Sequence, residues 1–155
     1  MTSLTHEKER YIDRLGCMEE NQKKKKYYFL DIIEEPALIL YEDDEIICFH
    51  DINPASKFHM QTIPKIHIDD ATCLDFNQKE FVQRMLDISK RILIQHGLSV
   101  EDASFGFHWP PFISVHHLHL HSIAPASQMS LMGKVKFRGY WFVHVSICRY
   151  KDKVF

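Results

Sequence analysis

The sequence predicts an α+β fold, a mostly antiparallel sheet of about five or six strands with one long amphipathic helix. Two observations carry this. Short apolar runs, several alternating with period two, are bounded by turn residues on both sides of one helical stretch. That stretch is the one place where apolar residues recur at helical spacing, and a single long helix among sequential strands argues α+β. The chain has 155 residues, enough for one domain with a hydrophobic core. Residues 1–26 read as a charged extension, partly helical or flexible, and residues 27–155 as the domain.

The elements follow in order. "PALILYEDDEIICFHDINP" reads as two strands around the acidic turn Glu42–Asp43–Asp44, closed by Asn53–Pro54. "FHMQTIP" is a third strand, stopped by Pro64. From Gln78 to His96, Phe81, Met85, Ile88 and Ile92 form a stripe that Val82, Leu86 and Leu93 widen, and Gly97 ends the helix. "ASFGFH" is a fourth strand, "WPPF" a rigid turn, "VHHLHLHSIAP" a fifth strand and "YWFVHVSI" a sixth.

Composition narrows the function. The chain is 45% hydrophobic and 26% charged, with a net charge of −2 when histidine is neutral. That balance argues against a general nucleic-acid coat. The run Lys23 to Lys26 reads as a solvated linker before it reads as a targeting patch. No apolar stretch is long enough to cross a bilayer and no signal segment opens the chain. Cys17, Cys48, Cys73 and Cys148 form no C-x-x-C pair, so a reducing compartment, the cytoplasm with the nucleus, is expected. Cys48 and Cys148 sit in apolar strand-like runs, as buried thiols do.

The fifth strand carries the chemistry. His117, His119 and His121 alternate with Leu118 and Leu120, so a strand puts three imidazoles on one face and the leucines on the other. A half-buried strand results, apolar on its core side and lined with imidazoles on the other. Three readings are open. The histidines could simply occupy a polar face. Two of them could ligate zinc with help from elsewhere, because the outer pair lies roughly 13 Å apart at ~3.3 Å per residue, too far for one ion. Or a neutral imidazole attacks phosphorus while its neighbours hold the phosphate oxygens.

His117–Leu118–His119–Leu120–His121–Ser122–Ile123 resembles the His-φ-His-φ-His-φ-φ motif of the histidine triad family of nucleotide hydrolases and transferases, with Ser122 the one departure. "EPALILYEDDEIICFHDINP" looks like that family's nucleotide-pocket segment, and "IPKIHI" matches its "PKxHI" signature. "GFHWPPFISVHHLHLHSIAP" is most similar to the branch near aprataxin. The resemblance runs from about Tyr27 to Val145.

It implies a histidine-triad fold, a homodimer and hydrolysis of adenosine 5′-phosphoramidates, with acyl-adenylates as further substrates. His119 is then the nucleophile that becomes adenylylated, His117 orients it and His121 contacts phosphate oxygens. Ser114 sits by the leaving group, and His59 is the supporting histidine. Asp51 accepts from the ribose hydroxyls, and Phe29, Ile32, Phe49 and Ile52 enclose the base. His108 lines the leaving-group side. Many members bind structural zinc through a C-x-x-C, the "PKxHI" histidine and the first triad histidine. Here Tyr27 and Leu30 stand at the cysteine positions, so no metal and no other cofactor is expected. Two rival readings remain: a nucleotide-binding scaffold with decayed catalysis, hinted at by Gln61, Thr62 and Ser122, and an aprataxin-like deadenylation of nucleic-acid ends. The near-neutral charge and the absence of a zinc finger before Phe155 weigh against the second.

Overall fold

A computed structural model describes residues 38–145. Phe29, Ile32, Tyr27, Leu30, the lysine run, Cys17 and Cys148 lie outside them. Within this span the sheet has six strands: β1 (Ile39–Glu42), β2 (Ile46–His50), β3 (Phe58–Pro64), β4 (Ser104–His108), β5 (Leu120–Ala124) and β6 (Phe142–His144). Their order is β1-β2-β3-β5-β4-β6, and every neighbouring pair is antiparallel. Two helices accompany the sheet, α1 (Lys79–Gln95) and the short α2 (Leu131–Lys136). The architecture is α+β.

The first hairpin closes because the Asp43 carboxylate accepts from the amides of Glu45 and Ile46, each at 2.8 Å. An Asp in this role replaces backbone hydrogen bonds that a tight turn cannot make. α1 begins after a turn capped by Asp75 and Gln78, which bond each other's backbone. It ends at His96, followed by Gly97 at a φ of 70°, where a residue with a Cβ would be strained.

Val82, Met85, Ile88, Ile92 and Leu93 on α1 pack on one face of the sheet against Ile46, Cys48, Met60, Leu118, Leu120 and Ala124. Residues one position away point to the opposite face. There Ile47, Phe49 and Ile63 form one cluster, and Ala55, Ile123, Met129, Phe137 and Phe142 form another. His59, Gln61 and His121 alternate onto this second face, away from α1.

Two sequence expectations need correction. The fifth strand is shorter than residues 115–125, because the backbone of residues 114–119 leaves the ladder. The Leu118 amide donates to the Ile68 carbonyl at 2.7 Å, so this backbone group is satisfied by a loop instead of a strand. The strand is also not half-buried. Every residue from Leu120 to Ala124 is buried, because Met129, Phe137 and the Phe142 ring of β6 cover the imidazole side. Sequence reasoning did not anticipate α2.

β6 reaches its position because of Gly106. A Cβ there would stand 2.6 Å from the Val143 carbonyl oxygen and 2.7 Å from the Phe142 ring. Glycine lets β6 lie close to β4 and brings the Phe142 ring over the histidines.

Candidate active site

His119 is the side chain whose protonation the backbone fixes most clearly. Its Nδ1 lies 2.6 Å from the His117 carbonyl oxygen. A carbonyl only accepts, so Nδ1 carries the proton and the lone pair is left on Nε2. Burial lowers the pKa of this ring, which keeps it neutral and therefore nucleophilic at neutral pH.

A second chain of bonds sets His121. The Ala55 amide donates to His59 Nδ1 at 3.2 Å, which puts the His59 proton on Nε2. His59 Nε2 then donates to His121 Nδ1 at 2.9 Å. His121 carries its own proton on Nε2, and that atom is buried without a partner. An unpartnered buried donor costs ~1–3 kcal/mol, a cost an incoming acceptor such as a phosphate oxygen removes. Burial drives the His121 pKa well below its ordinary value, helped by the imidazoles of His119, His59 and His108. Burial also takes His59 and His108 down to about 4. Four neutral imidazoles therefore surround one place.

Asp51 follows β2, and its amide donates to the His59 carbonyl. One carboxylate oxygen accepts from the Asn53 amide at 2.8 Å. The other accepts from Gln61 Nε2 at 2.6 Å and lies 3.5 Å from His59 Nε2 and 3.8 Å from His121 Nδ1. Asp51, His59 and His121 form the one metal-competent trio among the described residues. Ligation through His59 Nε2 would need that atom deprotonated, at the expense of the bond from the Ala55 amide. The hydrogen-bond chain fits these three residues better than a metal does.

His117 donates from Nε2 to the Pro64 carbonyl at 2.9 Å, and its Nδ1 lies 3.1 Å from His67 Nδ1. His67 reaches Asp69 at 2.7 Å with its other nitrogen. His67 and His117 are half of a four-ligand zinc set, and a leucine at position 30 has no donor atom to add. These residues do not make the family's zinc site.

The remaining predicted residues are less convergent. Phe49 is fully buried beside Ile47 and Ile63 on the triad-facing side, while Ile52 is half exposed on the turn after Asp51. Ser114 is exposed and has no hydrogen bond to the triad, although Ile113 and Val115 beside it line a cavity with His108, His117 and His119. That cavity, ≈ 10 Å³, holds about one water. A larger groove of ≈ 940 Å³ lies at the outer surface of α1, lined by Tyr41, Phe76, Lys79, Arg84 and Arg91. It contains no triad residue, whereas the small cavity is lined by His117 and His119.

Two residues of this site escaped the sequence reading. The Phe137 ring lies 5.0–5.1 Å from the rings of His59, His108 and His121 and covers them. Nothing in its local pattern marks it. Gln61 lies two residues from His59 in one strand, and that spacing alone puts both side chains on the triad side.

The geometry defines a nucleophilic imidazole just before β5, flanked by a neutral donor on that strand, the arrangement of a phosphorus-directed histidine enzyme. The family described as scavenger mRNA decapping enzyme C-terminal binding matches residues 25–137, and the chain belongs to this histidine triad family. It is 37% identical over 113 residues to adenosine 5′-monophosphoramidase HINT3 of Xenopus tropicalis, covering 71% of this chain and 74% of that relative. A HIT family hydrolase from Clostridium thermocellum superposes with a TM-score of 0.55 at 26% identity, over 62% of this chain and 87% of that one. The aprataxin ortholog Hnt3, solved in complex with DNA, shares the fold, with a TM-score of 0.52 at 18% identity over 81% of this chain and 75% of its own.

Proposed function

We propose that this chain hydrolyses adenosine 5′-phosphoramidates through a covalent AMP–histidine intermediate. The observation that carries the reading is the bond from His119 Nδ1 to the His117 carbonyl, which leaves the lone pair on Nε2 of a ring 4.8 Å from the ring of His121, whose buried Nε2 donor is unpartnered. The HINT3 relative, a monophosphoramidase by name, supports the substrate class.

In the first step His119 Nε2 attacks the α-phosphorus as the P–N bond breaks. The electron pair leaves with the amine, which takes up a proton. The new phospho-imidazole bears positive charge, and the His117 carbonyl stabilises it through the Nδ1 proton. His121 Nε2–H donates to a phosphate oxygen as charge shifts at phosphorus. Water then attacks and gives up a proton to solvent, the P–Nε2 bond breaks with its electron pair returning to Nε2, and AMP leaves with His119 neutral again. Positioning and electrostatics carry most of such a reaction, and a stiff sheet supplies both. The Phe137 ring lies 5.0 Å from the His121 ring, so a nucleotide whose phosphate meets that imidazole displaces this ring on entry.

The proposal includes a homodimer that covers apolar side chains such as Ile94, exposed at the end of α1, and a cytoplasmic and nuclear location that suits the free thiols Cys48 and Cys73. Light scattering and imaging of the tagged chain test these two points. DNA ends stay a secondary reading, since Hnt3 at this identity speaks for fold alone.

The deciding experiment is intact-protein mass spectrometry after brief mixing with adenosine 5′-phosphoramidate. An AMP adduct on wild type, absent in His119→Ala, is expected, with the variant still binding AMP. Binding without adduct or product identifies a nucleotide-binding scaffold instead.

A further inference from the structure

Gln61 stands in the middle of a row that crosses the sheet. It is the register partner of Phe49 on β2 and of His121 on β5. All three side chains face away from α1, and neighbouring strands are ~4.8 Å apart. The row therefore runs from a buried aromatic, through an amide, to the phosphate-directed imidazole. A nucleotide laid along it with its base at Phe49 and its phosphate at His121 has its sugar over Gln61.

The amide is oriented. Gln61 Nε2 lies 2.6 Å from Asp51 Oδ2, and a carboxylate only accepts, so the nitrogen faces Asp51 and Oε1 faces elsewhere. The residue is 7% exposed, and Oε1 is buried with no hydrogen-bond partner. A buried acceptor without a donor is uncommon in folded proteins and calls for an explanation. Neither triad chemistry nor strand pairing uses this oxygen. Packing does not explain it either, because an apolar side chain in a buried strand would leave no polar atom unpaired.

We propose that Gln61 is a ribose-recognition residue: Nε2 holds Asp51 in place while Oε1 accepts a hydrogen bond from one sugar hydroxyl. Asp51 accepts from the other hydroxyl through a remaining lone pair, so the two residues read the diol together. The inference rests on the AMP-conjugate reading for its ligand. It adds that this site discriminates ribose from deoxyribose through a residue outside the triad. A site built around a hydroxyl rejects the analogue lacking it because its own polar groups are then left unpaired.

The test is calorimetric binding of AMP, 2′-deoxy-AMP and 3′-deoxy-AMP to wild type, Gln61→Leu and Gln61→Met, with thermal unfolding of each to confirm folding. Wild type should bind one deoxynucleotide about 10-fold or more weaker than AMP, the size of a lost hydrogen bond to a buried acceptor. In both variants that ratio should shrink at least about threefold, with AMP binding itself weakened. An unchanged ratio in a folded variant overturns the role of Gln61, as does a wild type that binds all three nucleotides equally. The readout does not need turnover. Lack of an AMP adduct with the ratio intact removes the hydrolase reading and leaves Gln61 standing. Failure of wild type to bind AMP at all removes both.

Discussion

The 2.9 Å bond from His59 to His121 makes a residue on β3 decide where a residue on β5 carries its proton. The order runs from a backbone amide at Ala55, through His59, to an imidazole N–H with nothing yet to donate to. Each link is fixed by which atoms can only donate or only accept, so the donor is in place before any ligand arrives. Replacing His59 with phenylalanine keeps an aromatic ring beneath Phe137 and removes both bonds. The expected result is a fall in kcat of about 10- to 100-fold, below the ~10²–10⁴-fold of a directly transferring acid–base group because His59 acts through His121, with a smaller change in KM. Nitrogen-15 spectra of the histidine rings should show His121 protonated at Nε2 in wild type and a tautomer mixture in the variant. An unaltered His121 spectrum would show that some other group sets its tautomer.

Acid should unfold this protein earlier than its carboxylates alone require. Burial places the pKa of His59 at about 4, below the 6.5 of an unfolded chain, and His108 behaves alike. Between those values the unfolded state binds protons that the folded state refuses, so stability is full above pH 6.5 and falls as pH drops towards 4. For His59 the loss is on the order of 3 kcal/mol, at about 1.4 kcal/mol per pH unit. Urea unfolding at pH 7.5, 6, 5 and 4 measures it. His59→Phe should flatten the part of the curve between pH 6.5 and 4 that His59 contributes, and an equally steep curve in the variant would assign the loss to other groups.

Much of this site was legible in the sequence because strands advertise their faces. The alternation His117–Leu118–His119–Leu120–His121 places both leucines against α1, as the structure has them. "FHMQTIP" matches β3 residue for residue, and the helix boundaries differ by one position at each end. What was not legible is tertiary. The cover over the imidazoles comes from Phe137 and Phe142, and the latter depends on the missing Cβ of Gly106, a contact between strands distant in sequence. α2 is six residues long, too short for periodicity to reveal. The departure of residues 114–119 from the ladder depends on a hydrogen bond to Ile68, which no local pattern encodes. Gln61 and Thr62 read as drift in one dimension and acquire partners only in three.

Thr62 is the clearest such case. Its hydroxyl lies 2.8 Å from Ser89 Oγ and 3.2 Å from Cys48 Sγ, and Ser89 donates to the Met85 carbonyl one helical turn earlier. This thread joins β2, β3 and α1 inside the apolar core, and burial pushes the Cys48 thiol up to about 12. Thr62→Val and Ser89→Ala should each destabilise by about 1–2 kcal/mol, because each leaves the other hydroxyl without its partner. The double variant should cost less than the sum, since it removes both ends of the pair. Chemical denaturation of the four proteins gives the coupling, and strict additivity would mean that the two hydroxyls do not depend on each other.

Phe137 tests whether the cover over the triad is part of the working cycle or only packing. The ring touches three imidazoles and the Phe142 ring, and it follows α2, which is seated where Gly133 lies against Ala55 and the Ser130 amide donates to the Ala55 carbonyl. Truncating a buried phenylalanine costs ~3–5 kcal/mol in general, so Phe137→Ala should unfold at a lower temperature. A ring that must move before a nucleotide reaches His121 also adds to the barrier for entry. Its removal should therefore raise the AMP association rate several-fold in stopped-flow measurements at a temperature where both proteins are folded. Phe137→Leu, which retains more of the packing, should be intermediate in both stability and rate. If association is equally fast in all three proteins while stability falls in order, the nucleotide enters by a path that this ring does not cover.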